Sequence, residues 1–355
     1  MFWRRVQKMS VIALYIVLFL ACISSGGAVL AEAYGIASLH DVVWFAAVPS
    51  YIALLLVWLY ARRSKHMAIR AISETLVIGT LGGFLGTAAY DVLGLPSVLT
   101  GMRVFIPNDT FGLWILDTST SSRFTATAGW LFHFANGMMF GIMYALFMRR
   151  RHWAFAVAWA FLLETIALIS PYGEIYHLAG NPMLVAEAYF EHLGYGLPLG
   201  FMVMRWDACI DYLNKLPCSV QFAFPASLAV EVVVFLTSPS ARFADQRTQP
   251  RTFIIEDKRL LPDWLRLTVP EAITLRNTCS ASNVIVIDAV TTLSLAPCEE
   301  REVEILKPGI HQLFVRTERL LSGSSFVLVE PVAAVRSTAS ENAASETDTE
   351  PSREQ

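Results

Sequence analysis

Seven ionisable side chains sit inside apolar runs of this sequence: Asp91, His133, Glu164, Glu187, Glu191, His192 and Glu231. A charge at bilayer depth is expensive, so each of these groups needs a partner, a water-filled cavity or a bound cation. Carboxylates and imidazoles together suit iron, manganese or zinc, and bundle-type metal sites draw such ligands from several helices. The expected cofactor is therefore a transition metal ion, iron, zinc or manganese ahead of copper. Its candidate ligands are Asp91, His133, Glu164, Glu187, Glu191 and His192. Glu174 and His177, in the hairpin after the fifth apolar run, and Glu231 would form an outer rim. Met138, Met139 and Met143 are the one feature that favours copper(I). Glu191 and His192 are adjacent on a helix and cannot both face one point, so they serve two sides of a cavity or one stands back. These runs contain no Glu-x-x-His, His-x-x-x-His or His-Glu-x-x-His motif, which weighs against ferritin-like, desaturase and zincin chemistry.

The elements that must position these groups are membrane helices. Of 355 residues 55% are hydrophobic and only 16% charged, and the mean hydropathy is +0.49, too apolar for a soluble chain of this size. Apolar windows of roughly 18–25 residues, long enough to cross the hydrocarbon, fall near 9–31, 42–61, 71–95, 127–148, 153–170, 183–204 and 219–237. Pro225 and Glu231 interrupt the last of these, whose Val-rich end also suits a buried strand. Basic residues occupy alternate loops: Arg4, Arg5 and Lys8; Arg62, Arg63, Lys65 and Arg70; residues 149–151; Arg205 and Lys215. The opposite loops before residue 219 carry only Arg103 and Arg123. By the positive-inside rule the basic loops are cytoplasmic, and an odd number of spans leaves the C-terminal region outside. The expected location is the cell inner membrane, multi-pass, with the bilayer as the first partner and the C-terminal domain on the periplasmic side. The first run also suits a signal peptide, with a basic start, an apolar stretch over 11–23 and small residues over 28–31. With 27 basic against 30 acidic residues and no nucleic-acid motif, nucleic acid is not an expected partner.

Orientation gathers the polar groups into one leaflet. Asp91, Glu164 and Glu231 fall past the midpoints of outward-running spans, and His133, Glu187 and Glu191 before those of inward-running ones. At ~1.5 Å per residue they lie between the membrane centre and ~12 Å toward the outer face, with His192 near the centre. The loop over 97–126, with Asp109, Trp114 and Asp117, is expected to cover that layer. The fourth and sixth runs share His-x-x-x-Gly-x-x-x-Gly, as His133, Gly137, Gly141 and His192, Gly196, Gly200. A spacing of four puts each His on one stripe with its glycines, and small residues on a stripe let helices approach, so both histidines should face a neighbouring helix. The third run adds Gly79, Gly83 and the offset pair Gly82, Gly86.

The membrane domain should occupy 1–237, followed by a Ser-, Pro-, Arg- and Gln-rich linker over 238–251. From 252 to 335 the texture is β-rich, with short runs at 252–256, 265–269, 273–276, 284–287, 302–305, 312–316 and 326–329, separated by turn residues. That spacing suits a small sandwich. Residues 336–355, rich in Ser, Thr and Glu, read as a disordered tail. Cys279 and Cys298 fall in the external domain and are expected to pair in an oxidising compartment.

Within 261–330 the sequence carries Pro270-Glu-Ala-Ile-Thr-Leu-Arg-Asn277, Leu295-Ala-Pro-Cys-Glu, Leu306-Lys-Pro-Gly309 and then Gly323 before a last Val-rich strand. In this order of turns it resembles the cupredoxin-like domains of periplasmic iron- and copper-uptake proteins. The resemblance implies an all-β sandwich and a setting in metal uptake. A blue-copper site needs two His, a Cys and usually an axial Met. Between Gly309 and Glu330 there is neither Cys nor Met, and no His follows Asn277 until His311. A sandwich without its own metal, docking on or covering the membrane domain, is the expected role.

The expected architecture is thus a membrane-embedded all-α bundle of about seven transmembrane helices with a C-terminal all-β cupredoxin-like sandwich. Three functions fit it. One is metal handling, in which the outer-leaflet site binds, relays or transports an ion received from a periplasmic donor. Another is an intramembrane metalloenzyme acting on a lipid or quinone-like substrate, with Asp91, His133, Glu164 and His192 as ligands and Glu187 or Glu191 as base. The third is a non-catalytic accessory or assembly subunit of a membrane complex.

Overall fold

In a computed structural model the chain divides into two compact units, and residues 2–99, 105–178, 180–217, 251–256, 259–267, 271–288, 290–316 and 324–330 are described. The seventh apolar run with Glu231, the linker over 238–251 apart from Arg251, and the tail over 336–355 lie outside the described residues.

The first unit spans Met1–Ala31, Leu39–Asp117 and Ser122–Ala241. Its helices are α1 (Phe2–Ala33), α2 (Leu39–Val42) continued through a π-helical turn at Val43–Ala47 into α3 (Val48–Arg63), and α4 (Met67–Leu99). After them come α5 (Ile106–Ile115), α6 (Arg123–Phe147), α7 (Ala154–Ile169), α8 (Pro171–Ile175), α9 (Pro182–Met204) and α10 (Trp206–Lys215). Four stretches, Ile12–Ala33, Leu39–Arg63, Met67–Ser97 and Arg123–Phe147, are long and apolar enough to cross a bilayer, which makes this a multi-pass membrane protein. The apolar helix α7 is shorter, at 16 residues. The loop expected over 97–126 contains α5, whose residues Thr110–Ile115 are buried, so this segment is part of the packed interior.

Side-chain capping starts the helices that matter most. Ser122 and Thr125 form a capping box at α6, with Ser122 N donating to Thr125 Oγ1 at 2.8 Å and Thr125 N to Ser122 Oγ at 3.2 Å. Asn181 accepts from Leu184 N at 3.2 Å and is followed by Pro182, a good first residue for α9.

Two glycine stripes let α4 sit between α6 and α9. A Cβ added at Gly79 or Gly83 would strike the backbone of Ile142 or Gly137 on α6. One added at Gly82 or Gly86 would strike Leu199 or Tyr195 on α9. On α9, Gly196 and Gly200 face the other way, against Val157 and Trp153 at the start of α7. Close backbone approach of this kind gives the dispersion contact on which helix association in lipid depends. Met138 and Met139 are fully buried in an apolar cluster with Cys22, Tyr51, Leu54 and Ile72. Their role there is packing.

The second unit spans Glu32–Ser38, Thr118–Ser121 and Arg242–Gln355. Its strands are β1 (Thr252–Glu256), β2 (Arg259–Leu261), β3 (Trp264–Leu267), β4 (Glu271–Asn277), β5 (Asn283–Ile287), β6 (Thr291–Leu295), β7 (Glu300–Ile305), β8 (Gly309–Val315) and β9 (Ser324–Val329). Each of the seven expected runs overlaps a strand, and β2 and β6 are additional. One sheet has the order β2-β1-β4-β7 and the other β3-β9-β8-β5-β6, with β1/β4 and β3/β9 parallel and the remaining pairs antiparallel. Alternating residues fill the space between them: Phe253, Ile255, Ile273 and Leu275 from one sheet, Ile285, Leu313, Val315 and Val327 from the other. The Thr118–Ser121 segment joins the edge of β3, where Arg266 N donates to Ser119 O at 2.7 Å. Cys279 and Cys298 are not joined in this structure. They lie in separate turns, Cys279 just after β4 and Cys298 between β6 and β7.

Candidate functional site

The i, i+4 geometry that aligns glycines also aligns chemistry. The stripe Gly79, Gly83, Thr87 of α4 continues to Asp91 and faces α6, where His133 lies on the stripe of Gly137 and Gly141. His133 Nε2 donates to Asp91 Oδ1 at 2.9 Å. The second stripe of α4 runs from Gly82 and Gly86 through Tyr90 to Gly94, and Glu191 of α9 packs on Gly94. His192, one residue on, faces α7: its Nδ1 donates to the Ala188 carbonyl at 2.9 Å and lies 3.4 Å from Glu164 Oε2. Each histidine thus meets one carboxylate on a neighbouring helix, as the shared stripes predict.

Tyr90 joins the two pairs. Its ring lies 5.6 Å from that of His133 and 5.1 Å, edge to face, from that of His192. Its hydroxyl faces the Glu191 carboxyl. Tyr90, His133, Glu164 and His192 all line one cavity of about 450 Å³ in the helical unit. The remaining wall is mostly apolar and aromatic, with Phe105, Phe111, Phe140 and Tyr172, and among the described residues it carries neither Lys nor Arg. Ile23 of α1 and Ile166 of α7 also line it, and both are exposed, at 42% and 39%, so the cavity reaches the apolar outer surface of the helices.

Other expected residues are placed elsewhere. Glu187 accepts a hydrogen bond from Ser97 near the end of α4 and does not line the cavity. Glu191, only 2% exposed, has one carboxylate oxygen without a partner and stands behind Tyr90. Glu174 and His177 are exposed around α8, outside the cavity lining. Among the described residues no group of three His, Cys, Asp or Glu side chains is arranged to hold a metal ion. The ionisable groups form two pairs, and each imidazole directs a nitrogen to its own carboxylate.

Sequence reasoning missed Tyr90, Asn108, Asn136 and Trp159. All four line the cavity, and the last three bear buried polar atoms without a partner: Asn108 Nδ2, Asn136 Oδ1 and Trp159 Nε1. Tyr90 was accessible as the next step of the Gly82, Gly86 stripe. The other three are single neutral residues that carry no spacing signal.

At the far end of α4, Glu74 accepts from Arg149 Nη2 at 3.0 Å and from Trp206 Nε1 at 3.4 Å, and the Arg149 guanidinium stacks 4.6 Å from the Trp206 ring. These contacts fasten α4, α6 and α10 and place no group in the cavity. Compared with known protein families and curated proteins, the chain matches no family model and no curated sequence.

Proposed function

We propose that this protein binds a lipid- or quinone-like molecule within the bilayer and exchanges protons with its polar end through the two His–carboxylate pairs. The observation that carries this reading is the cavity of about 450 Å³ whose aromatic wall is interrupted by His133, Glu164, His192 and Tyr90. Its volume is in the range of small-molecule sites, and apolar walls with a few convergent polar groups are what such sites share. A neutral imidazole held by a hydrogen bond at Nδ1 keeps Nε2 as a proton acceptor, and His192 is held in that way. The exposed rim at Ile23 and Ile166 offers an apolar tail a route to the lipid.

In this reading the chain has seven spans in the inner membrane, with the basic loops cytoplasmic. The C-terminal unit is a cupredoxin-like sandwich outside that docks without a metal of its own. What supports the last point is that its candidate side chains serve structure. The Asn277 amide donates to the carbonyls of Ala281, Leu295 and Ala296, and both His311 nitrogens are engaged.

The test is lipid extraction and mass spectrometry of protein purified in mild detergent. A defined lipid or quinone should co-purify with the unaltered chain and fall at least severalfold in the His133→Ala/His192→Ala double variant. Equal recovery from both, or bulk membrane lipid alone, would sink the reading. A second reading, metal handling with a periplasmic donor, is favoured by one observation, that His133, Glu164 and His192 line the same cavity. Elemental analysis separates the two: stoichiometric iron, zinc or manganese lost in the double variant supports metal handling, and metal-free protein removes it.

A further inference from the structure

We infer that one end of the helical unit binds anionic phospholipid headgroups, at a patch where Arg151 and Arg205 stand beside the aromatic residues Trp153 and Phe201. This patch is separate from the cavity, and the inference does not depend on how the cavity is read.

Contacts between helix ends gather the basic residues. Arg149 Nη2 lies 3.0 Å from Glu74 Oε2, which sets the turn between α6 and α7 beside the first turns of α4. Arg150 N donates to the Val203 carbonyl at 3.2 Å, and a Cβ added at Gly200 would strike the backbone of Trp153, so the same turn lies against the end of α9. The segments 62–74, 149–151 and 205–215 that meet here carry nine Lys and Arg against three acids, Glu74, Asp207 and Asp211. Toward the opposite end of these helices the balance is reversed among the described residues, with Asp41, Asp109, Asp117, Glu174 and Glu187 against Arg123. The positive field therefore belongs to one end alone.

Two of the three acids are engaged. Glu74 holds Arg149, and Asp207 accepts from Arg150 Nε at 2.8 Å. Arg151 and Arg205 are exposed and have no carboxylate partner among the described residues. The segments that carry them are those joined through Val203 and Gly200, so both guanidiniums serve one patch. Beside them the Trp153 ring stacks on Phe201 at 5.8 Å, and Phe201 and Phe155 are 46% and 53% exposed. A Trp at the end of an apolar helix sits at headgroup level, which puts the neighbouring guanidiniums at the depth of lipid phosphates. Arg presents a planar fork of donors that takes phosphate oxygens in pairs. A free phosphate would use that fork and leave the exposed rings unused, whereas a phospholipid also lays its glycerol and first methylenes on them. A zwitterionic lipid brings an ammonium that the surplus of positive charge repels, so the anionic headgroup is favoured.

Full-length protein in non-ionic detergent is titrated with dioctanoyl phosphatidylglycerol, dioctanoyl phosphatidylcholine and inorganic phosphate, and binding is followed by thermophoresis. Phosphatidylglycerol should bind saturably, about tenfold or more tighter than either of the others, and added salt should weaken it. Arg151→Gln and Arg205→Gln should each weaken it about fivefold, the share of one basic residue near an anionic surface. Arg123→Gln, at the other end of α6, should leave it unchanged. Salt dependence needs no variant, so it decides the matter if a substituted protein does not fold. Equal affinity for phosphatidylcholine or for inorganic phosphate, binding indifferent to salt, or unaltered affinity in the Arg151→Gln/Arg205→Gln double variant would overturn the inference. So would a loss in Arg123→Gln as large as that in Arg151→Gln, which would show net charge acting without a patch.

Discussion

At the scale of single residues, the costly groups of the helical unit are settled mostly by one another. His133 with Asp91 and His192 with Glu164 make imidazole–carboxylate contacts at 2.9 and 3.4 Å. A sequence can nominate ligands but cannot say whether two of them will pair, because pairing depends on which stripe of which helix faces which neighbour. Here the pairing is closed two by two, and the groups missed in advance were the neutral ones that line the cavity between the pairs. The His133–Asp91 contact can be measured. Asp91→Leu leaves an imidazole without its acceptor, and His133→Leu leaves a carboxylate without its donor, whereas the double variant leaves neither. Hydrogen bonds within membranes are worth less than intuition suggests, about 0.6 kcal/mol on average and up to about 1.7, and this contact also has charge available to it. SDS-driven unfolding of the four proteins should give a coupling of about 1–2 kcal/mol. A cycle that closes to zero would mean that the pair contributes nothing to holding α4 on α6.

At the scale of elements, spacing was the legible signal and context the illegible one. Four-residue steps in α4, α6 and α9 predicted which faces would meet, because a glycine stripe fixes a contact without reference to anything beyond the helix. The segment over 97–126, expected to cover the polar layer, contains the buried α5, with Pro107 in its first turn and Asn108 buried. Strand β2 is only three residues long, and β6 has the mostly outward-facing Thr-Thr-Leu-Ser-Leu, so neither shows an apolar run. In the sandwich, His311 of β8 ties two turns: Nδ1 meets Asp288 Oδ2 at 2.6 Å after β5, and Nε2 meets the Lys307 carbonyl at 2.7 Å before β8. Burial alone would lower the affinity of His311 for a proton, but the hydrogen bonds to Asp288 and Lys307 and the Asp288 charge outweigh it, and its pKa is raised. The folded state therefore holds that proton more tightly than the unfolded chain, whose histidine titrates at about 6.5. The stabilisation is fully present below about pH 6.5 and is lost as pH rises through the raised folded value. Hydrogen exchange of the β8 amides in the intact protein should accelerate across that window beyond its intrinsic pH dependence. His311→Gln should flatten the excess, and an excess that persists in this variant would assign it to another group.

At the scale of the whole molecule, composition and texture divide the chain into an apolar helical part and a β-rich part, and the structure divides it in the same way apart from two short segments, Glu32–Ser38 and Thr118–Ser121, that join the second unit. Which side of the membrane each part occupies is an expectation drawn from charge. The basic clusters at residues 62–70, 149–151 and 205–215 fall at alternate turns of the chain, and Lys and Arg are retained on the cytoplasmic side during insertion. With seven spans, residues beyond 251 emerge on the outer side; with six, they remain inside, so the run over 219–237 decides the location of the sandwich. Its cysteines make the question accessible. Cys298 is exposed, and Cys209 lies on α10, immediately beyond the basic end of α9. Single-cysteine variants retaining one or the other can be treated in spheroplasts with a membrane-impermeant maleimide. Cys298 should react before lysis and Cys209 only after it. Reaction of Cys298 only after lysis would place the sandwich in the cytoplasm, reduce the spans to an even number and remove any role for it in meeting an external partner, while leaving the cavity and its paired histidines as they are.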